Sequence, residues 1–388
     1  MRNAPTYELD LKEFWRDPYP DLKRMRDDFP VAYVPQLDAA LITRRDDIFE
    51  NEKKVDVFSS VQPEGLMQRL MGQNMMRKDG EDHAVERRAI FPAVSPRTVK
   101  DDWRARFQAE TDKMLDEIHP LGKADMVKDI AMRVSGEALK IVTGLTNISW
   151  MEMDRVSQGM IDGCANYSGD SEVEAVCNEC TASIDRYIDE MIPVYEENPD
   201  NSLLSVQLQA GLPEESVRAN VKLAISGGQN EPRDVISGMV WALLKFPDQH
   251  ELLNNGTVSW KDVFDEYARW ISPVGMSPRR IARTFQLHGV TLEPEDRAFF
   301  MFGAANRDER KFGNPEVFDV TRNVSASIPF GAGPHYCAGA AASKCLIAEV
   351  VVPNVFKRLP GLRLAGETVF GGWAFRGPLN MPIAWDLT

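Results

Sequence analysis

Pro329-Phe330-Gly331-Ala332-Gly333-Pro334-His335-Tyr336-Cys337-Ala338-Gly339 sets both the fold and the chemistry of this chain. Three glycines and two prolines in eleven residues exclude a regular element, and they let backbone N–H groups gather around one side chain. From Ala340 to about residue 352 the pattern is helical, so Cys337 stands just ahead of a helix N-terminus. The dipole and free N–H groups there favour thiolate over thiol. A single thiolate with no second Cys or His at zinc spacing suits one axial position on a haem iron, through which sulfur pushes electron density toward bound dioxygen. The competing reading is a buried loop cysteine. The glycine framework around it weighs toward the ligand.

The pattern Phe330-Gly331-x-Gly333-x-His335-x-Cys337-x-Gly339 resembles the haem-binding loop of cytochrome P450. The resemblance implies a mainly α-helical fold with a smaller β region, a helical prism around haem b, in a single domain over residues 1–388. It implies that Cys337 ligates the iron, that Phe330, Gly331 and Gly339 shape the loop against the cofactor, and that His335 donates to a haem propionate.

Composition limits the alternatives. With 388 residues, 43% of them hydrophobic, the chain can bury a large core, and no linker interrupts it. A net charge of −14 excludes a nucleic-acid surface, although a local basic patch for an acidic protein partner is still possible. No apolar stretch approaches the roughly 18 residues needed to span a bilayer, and residues 1–7 lack a signal-peptide core. The expectation is a cytoplasmic protein without a membrane segment. Its five cysteines are then reduced thiols.

Along the chain, Tyr19-Pro20-Asp21-Leu22 opens a short amphipathic helix, and 31–34 with 40–43 read as a hairpin. Residues 59–80, with Met67, Met71 and Leu70, are too apolar for an ordinary surface loop; they either close over an apolar ligand or pack on the core. His83 and Arg87, spaced i, i+4, put two cationic donors on one helix face, which suits a carboxylate. With Phe91-Pro92 after them, they resemble the family's propionate clamp. From Pro96 to about Asp200 the pattern is helical, with turn signals at 145–149, 167–170 and 198–201. Cys177-x-x-Cys180 lacks the second pair that structural zinc requires, and reads as helix surface and core.

The stretch Ala224-Ile225-Ser226-Gly227-Gly228-Gln229-Asn230-Glu231-Pro232-Arg233-Asp234 leads into an apolar helix. Read as mid-helix, Pro232 deprives the Gly228 carbonyl of its partner and opens the helix there; the competing reading is a helix boundary at Pro232. Gly227 and Gly228 would let a flat group approach, and the freed carbonyl would hold water or dioxygen. The resemblance makes this the long helix over the haem, where an acid is normally followed by a threonine. Here Glu231 takes the acid position and Pro232 the alcohol position, which puts the usual proton relay in doubt.

Glu266 and Arg269 share a helix face and form the E-x-x-R arrangement that resembles the family's structural pair. Either Arg279 or Arg280 resembles a further propionate ligand, with Arg280 preferred because Ile281-Ala282 follows it. Val274 and Met276 before them, and the aromatic tip with Trp373 and Phe375, are expected to line the pocket with Met67 and Met71.

The implied function is monooxygenation of a small apolar or aromatic substrate, one atom of O2 entering it and the other leaving as water. Electrons come from NAD(P)H through a separate ferredoxin or flavin/iron–sulfur reductase, because no flavin or iron–sulfur fingerprint is present. Glu231-Pro232 together with Trp373-x-Phe375-Arg376-Gly377-Pro378 resembles the bacterial enzymes that O-demethylate guaiacol-type aromatics. The rivals are a terpene or fatty-acid hydroxylase, a peroxide-using haem enzyme, and a non-catalytic gas-sensing haem protein.

Overall fold

Apolar, alternating residues near the N-terminus form the strands Val31–Val34 and Ala39–Ile42, which pair antiparallel as the expected hairpin. In the computed structural model, which describes residues 1, 3–166 and 169–387, Ala39–Ile42 also pairs in parallel with Arg297–Phe300. Ser277–Ile281 and Phe58–Ser59 complete a five-stranded sheet. Its inner strand is covered on both faces. Ala40 and Ile42 join Phe58, Ile281 and Phe300 on one side, whereas Ala39 and Leu41 join Phe14, Leu22 and Phe299 on the other.

The described residues group into two compact units. The first comprises Met1–Val61, Ser237–Cys337 and Glu367–Met381, and contains this sheet together with the helices Tyr19–Asp28 and Trp260–Ile271. The second comprises Gln62–Ile236, Ala338–Gly366 and Pro382–Thr388, and is almost wholly helical. Its core is built by the helices Trp150–Cys164, Ser171–Glu197 and Glu214–Ser226 around Met153, Val156, Ile184, Ile188, Val221 and Ile225. With 57% helix and 11% strand, the fold is mainly α with a smaller β region. No helix among the described residues is long and apolar enough to cross a membrane.

Several local expectations change. Residues 59–80 contain a short helix, Leu66–Met71, and a turn of 3-10 helix, Met75–Arg77. The helix after the cysteine loop runs from Ala340 through a wide π turn, Cys345–Val351, to Arg358. Cys177 and Cys180 are both fully buried, not at a helix surface, because they face Gly163 and Gly159 of the neighbouring helix. A Cβ at either glycine would stand 2.5 Å from the opposing sulfur, so the pair serves close helix contact. Of the turn expected at 167–170, Tyr167 and Ser168 lie outside the described residues; Asp170 caps the next helix by accepting the Glu172 N–H at 2.9 Å.

Candidate active site

Gly331 and Gly333 take φ of +73° and +65°, which a residue with a Cβ adopts only with strain, and they turn the loop back on itself. Cys337 N–H then donates to the Phe330 carbonyl at 3.0 Å and closes the loop. Gly333–His335 form one turn of 3-10 helix inside it. The Phe330 ring stacks on Phe264 at 6.2 Å between centroids and anchors the loop to the helix Trp260–Ile271. Cys337 is left half-buried at the end of the closed loop.

One contact to this loop has no sequence signal. Glu52, just after the helix Arg45–Asn51, accepts the Ala332 N–H on one carboxylate oxygen and pairs with Arg279 Nη2 at 3.1 Å through the other. Burial pushes its carboxyl up to about 6, opposed by the Arg279 charge and the Ala332 N–H. Arg279 shares its strand face with the core residue Ile281, so strand alternation turns it inward to Glu52. Arg280 points the other way, donating to the Val61 carbonyl at 2.9 Å and pairing with Glu295 at 2.6 Å.

Glu266 and Arg269 meet as their spacing requires. Both are fully buried and doubly bonded, Nε to Oε2 at 2.7 Å and Nη2 to Oε1 at 2.8 Å. Arg269 also donates to the carbonyls of Asn306 at 2.9 Å and Pro315 at 3.0 Å, while Glu266 accepts the Asp319 N–H at 3.0 Å and Arg322 Nε at 3.3 Å. The segment between the sheet and the cysteine loop is tied down by this pair. In the same segment, Arg307 donates to the Trp270 carbonyl at 2.7 Å and pairs with Glu316 at 2.5 Å.

In the second unit, His83 and Arg87 lie one turn apart on the helix Gly80–Val94, with His83 buried. Beside them Glu86 pairs with Lys78 at 2.5 Å and accepts from Asn220 Nδ2 at 2.9 Å, and Asn220 Oδ1 accepts the Met75 N–H at 2.8 Å. This buried network fixes the start of the helix to Glu214–Ser226.

The kinked helix expected at Pro232 is a clean break. Glu214–Ser226 ends at Gly227, whose N–H donates to the Leu223 carbonyl at 3.0 Å, and a new helix, Asn230–Lys245, begins three residues later. Pro232 therefore sits in the first turn, where its missing N–H costs nothing and its fixed φ helps the helix start. Gly228 lies in the turn, and its carbonyl is not freed by a proline kink. Glu231 Oε2 is buried with no hydrogen-bond partner among the described residues, and burial pushes its carboxyl up to about 7 with the neighbouring Asp234 carboxylate adding to the effect.

The expected lining residues divide. Val274, Gly275 and Pro273 pair through their backbone with 374–376: Gly275 N–H donates to the Ala374 carbonyl and Arg376 N–H to the Pro273 carbonyl, both at 2.8 Å. This zip sets Val274 opposite Phe375, which is exposed; Val274 packs toward Phe58 and Phe300, whereas Met276 and Trp373 pack toward Phe14 and Phe299 on the other face of the sheet. Met71, by contrast, is buried in the helical core of the second unit with its sulfur 3.4 Å from Cys164, so it is spent on packing; Met67 packs at the edge of the same core.

Cys337 offers one soft sulfur donor, and no group of three or more His, Cys, Asp or Glu able to hold a metal ion occurs among the described residues. A donor of that kind fits a cofactor that brings its own equatorial ligands. At Gly339 a Cβ would meet no heavy atom within 4 Å among the described residues, its chain neighbours aside.

Residues 260–348, which hold the Glu266–Arg269 pair and the cysteine loop, match the family model described as Cytochrome P450. Epothilone C/D epoxidase of Sorangium cellulosum is 28% identical over 381 residues, covering 92% of this chain and 89% of its own. Cytochrome P450 CYP107DY1 of Priestia megaterium is 27% identical over 341 residues, 86% of this chain and 82% of its own. In fold, P450BioI, solved with an acyl carrier protein bearing hexadec-9Z-enoic acid, superimposes with a TM-score of 0.88 over 96% of this chain and all of that one, at 22% identity. The chain is thus similar in sequence and in fold to bacterial cytochromes P450, oxidoreductases that use haem b and take their electrons from a separate redox partner.

Proposed function

We propose that this enzyme is a monooxygenase that O-demethylates a small methoxy-aromatic of the guaiacol type. The observation that carries this reading is the backbone zip between 273–275 and 374–376, which sets Val274 opposite the exposed ring of Phe375, an apolar and aromatic pair that suits a flat apolar substrate. The Glu231-Pro232 pair and the Trp373-to-Pro378 tail add the resemblance to guaiacol-type demethylases. Bound haem supplies the oxidation. The roles proposed for the chain are ligation by Cys337, propionate binding by His83, Arg87, Arg280 and His335, and substrate orientation by the zipped pair. Hydroxylation of the methoxy carbon leaves an unstable hemiacetal that falls apart to the phenol and formaldehyde, so no further catalytic group is required. Orientation then governs rate, because an error near an ångström costs about a hundredfold.

Guaiacol, alkylguaiacols, syringol and methoxybenzoates are expected to give a spin-state shift and stoichiometric formaldehyde. Silence from all of them, with a strong response to a terpene or long-chain acid, sinks the demethylase reading and leaves the fold and cofactor intact.

The role proposed for Glu231 is to carry a proton into the site, since its carboxyl is held protonated near neutrality and no hydroxyl follows it. Glu231→Gln is expected to slow product formation and divert reduced oxygen to peroxide while ligand binding stays nearly intact. Unchanged coupling rules the role out. The same group carries a stability signature. Its folded pKa, about 7, lies above the ordinary carboxylate value, so its contribution is whole below about pH 4.5 and is lost as pH rises through 7. Glu231→Gln should therefore gain on the wild type between pH 5 and pH 8, by up to about 3 kcal/mol in urea melts. The absence of an alcohol beside Glu231 also favours a second reading, peroxide-driven turnover, which comparison of hydrogen peroxide with a ferredoxin system separates from the first.

A further inference from the structure

We propose that Glu52 is a positioning residue for the cysteine loop: its buried carboxylate clasps the Ala332 N–H on one side and Arg279 on the other, and so fixes where Cys337 presents its sulfur. This rests on Cys337 being the haem ligand. Glu52 and Arg279 are 3% and 4% exposed, and their ion pair is 3.1 Å long. Arg279 is itself anchored to the sheet, donating to the Ser277 hydroxyl at 2.5 Å and the Pro278 carbonyl at 2.8 Å. On the loop side Glu52 lies against both left-handed glycines. A Cβ at Gly331 would stand 3.4 Å from its carboxylate, and one at Gly333 would stand 3.0 Å from its backbone carbonyl.

The result is a continuous mechanical path within the first unit. It runs from the sheet through Arg279 and Glu52 to Ala332, then across the loop to the Phe330 carbonyl that receives the Cys337 N–H. Stability alone does not account for such a pair. Buried ion pairs are commonly no better than an apolar pair of equal volume. An apolar pair here would leave the buried Ala332 N–H without an acceptor, and what the carboxylate adds is a directional hold on that one group.

The test uses the full-length holoenzyme with Glu52→Ala, Glu52→Gln and the double variant Glu52→Gln with Arg279→Met. Two quantities are read: the share of bound haem giving the thiolate-type band in the reduced carbon monoxide complex, and hydrogen exchange of the peptide 328–337 against that of the helix 260–271. Glu52→Ala is expected to lower the thiolate share several-fold at equal haem content and to speed loop exchange about tenfold, with the helix unchanged. The double variant keeps a neutral acceptor for Ala332 and removes the orphaned guanidinium, so it should recover most of the thiolate share. If Glu52→Ala does not accumulate, the comparison of Glu52→Gln with the double variant carries the test. A wild-type share and loop protection in Glu52→Ala, equal loosening of loop and helix, or no recovery in the double variant each overturns the proposal. A thiolate band that survives Cys337→Ala overturns it differently, by removing the ligand assignment on which it stands.

Discussion

Cys337→Ala protein, reduced under carbon monoxide, is expected to show none of the thiolate-type absorption that the wild type displays, whatever haem it retains. The reason is that no other sulfur in the chain is fitted to replace it. Burial pushes the Cys164 thiol up to about 12 and those of Cys177 and Cys345 up to about 11, and it raises Cys180 as well. Each of these four therefore stays a thiol at neutral pH, and a thiol is a poor ligand for iron. Cys337 alone is carried on a loop closed by its own N–H and bent by two left-handed glycines. Persistence of the thiolate band in the variant would show that the ligand lies elsewhere.

Arg269→Ala should be nearly as damaging, through folding instead of chemistry. The guanidinium is fully buried, bonded twice to Glu266 and further to the Asn306 and Pro315 carbonyls. Its removal leaves the buried Glu266 carboxylate to the Asp319 N–H and Arg322 Nε and leaves those carbonyls unsatisfied, a loss on the order of 3–5 kcal/mol. Total stabilities of about 5–15 kcal/mol leave little after that. Little folded, haem-loaded Arg269→Ala protein should accumulate, and its urea midpoint should fall well below that of the wild type. Arg269→Lys keeps the charge but loses the two-pronged geometry, so it should be intermediate. Wild-type haem content and an unchanged midpoint in Arg269→Ala would contradict this account of the network.

Much of the candidate site was legible because its signals are short-range. The glycine-framed cysteine and the i, i+3 spacing of Glu266 and Arg269 depend on neighbours within one loop or one helix turn, and so does the His83–Arg87 pair. Glu52 could not be found that way, since its partners Arg279 and Ala332 lie more than two hundred residues away in the chain. Pro232 sits between two helical stretches, Ala224-Ile225 before it and 235–246 after it, so sequence alone leaves a kink and a boundary both open. Two glycines with a proline four residues on mark a stop followed by a start, and the proline is at home in the first turn. Between Arg279 and Arg280 the sequence had no preference beyond motif register, whereas strand alternation assigns Arg279 to Glu52. Met71 illustrates a general ambiguity, in that a flexible apolar side chain suits a pocket wall and a core gap equally well.

The parallel pairing of Ala39–Ile42 with Arg297–Phe300 matters while the protein is being made. The hairpin 31–42 leaves the ribosome roughly 250 residues before its partner exists, a delay on the order of tens of seconds at ordinary translation speeds. During that interval a wholly apolar strand has one edge satisfied and the other open to any passing chain. Expression yield should therefore be governed by how well the nascent chain is sheltered and how slowly it is synthesised, and poor yield from a fast-translating host would be a statement about this edge, not about the finished enzyme.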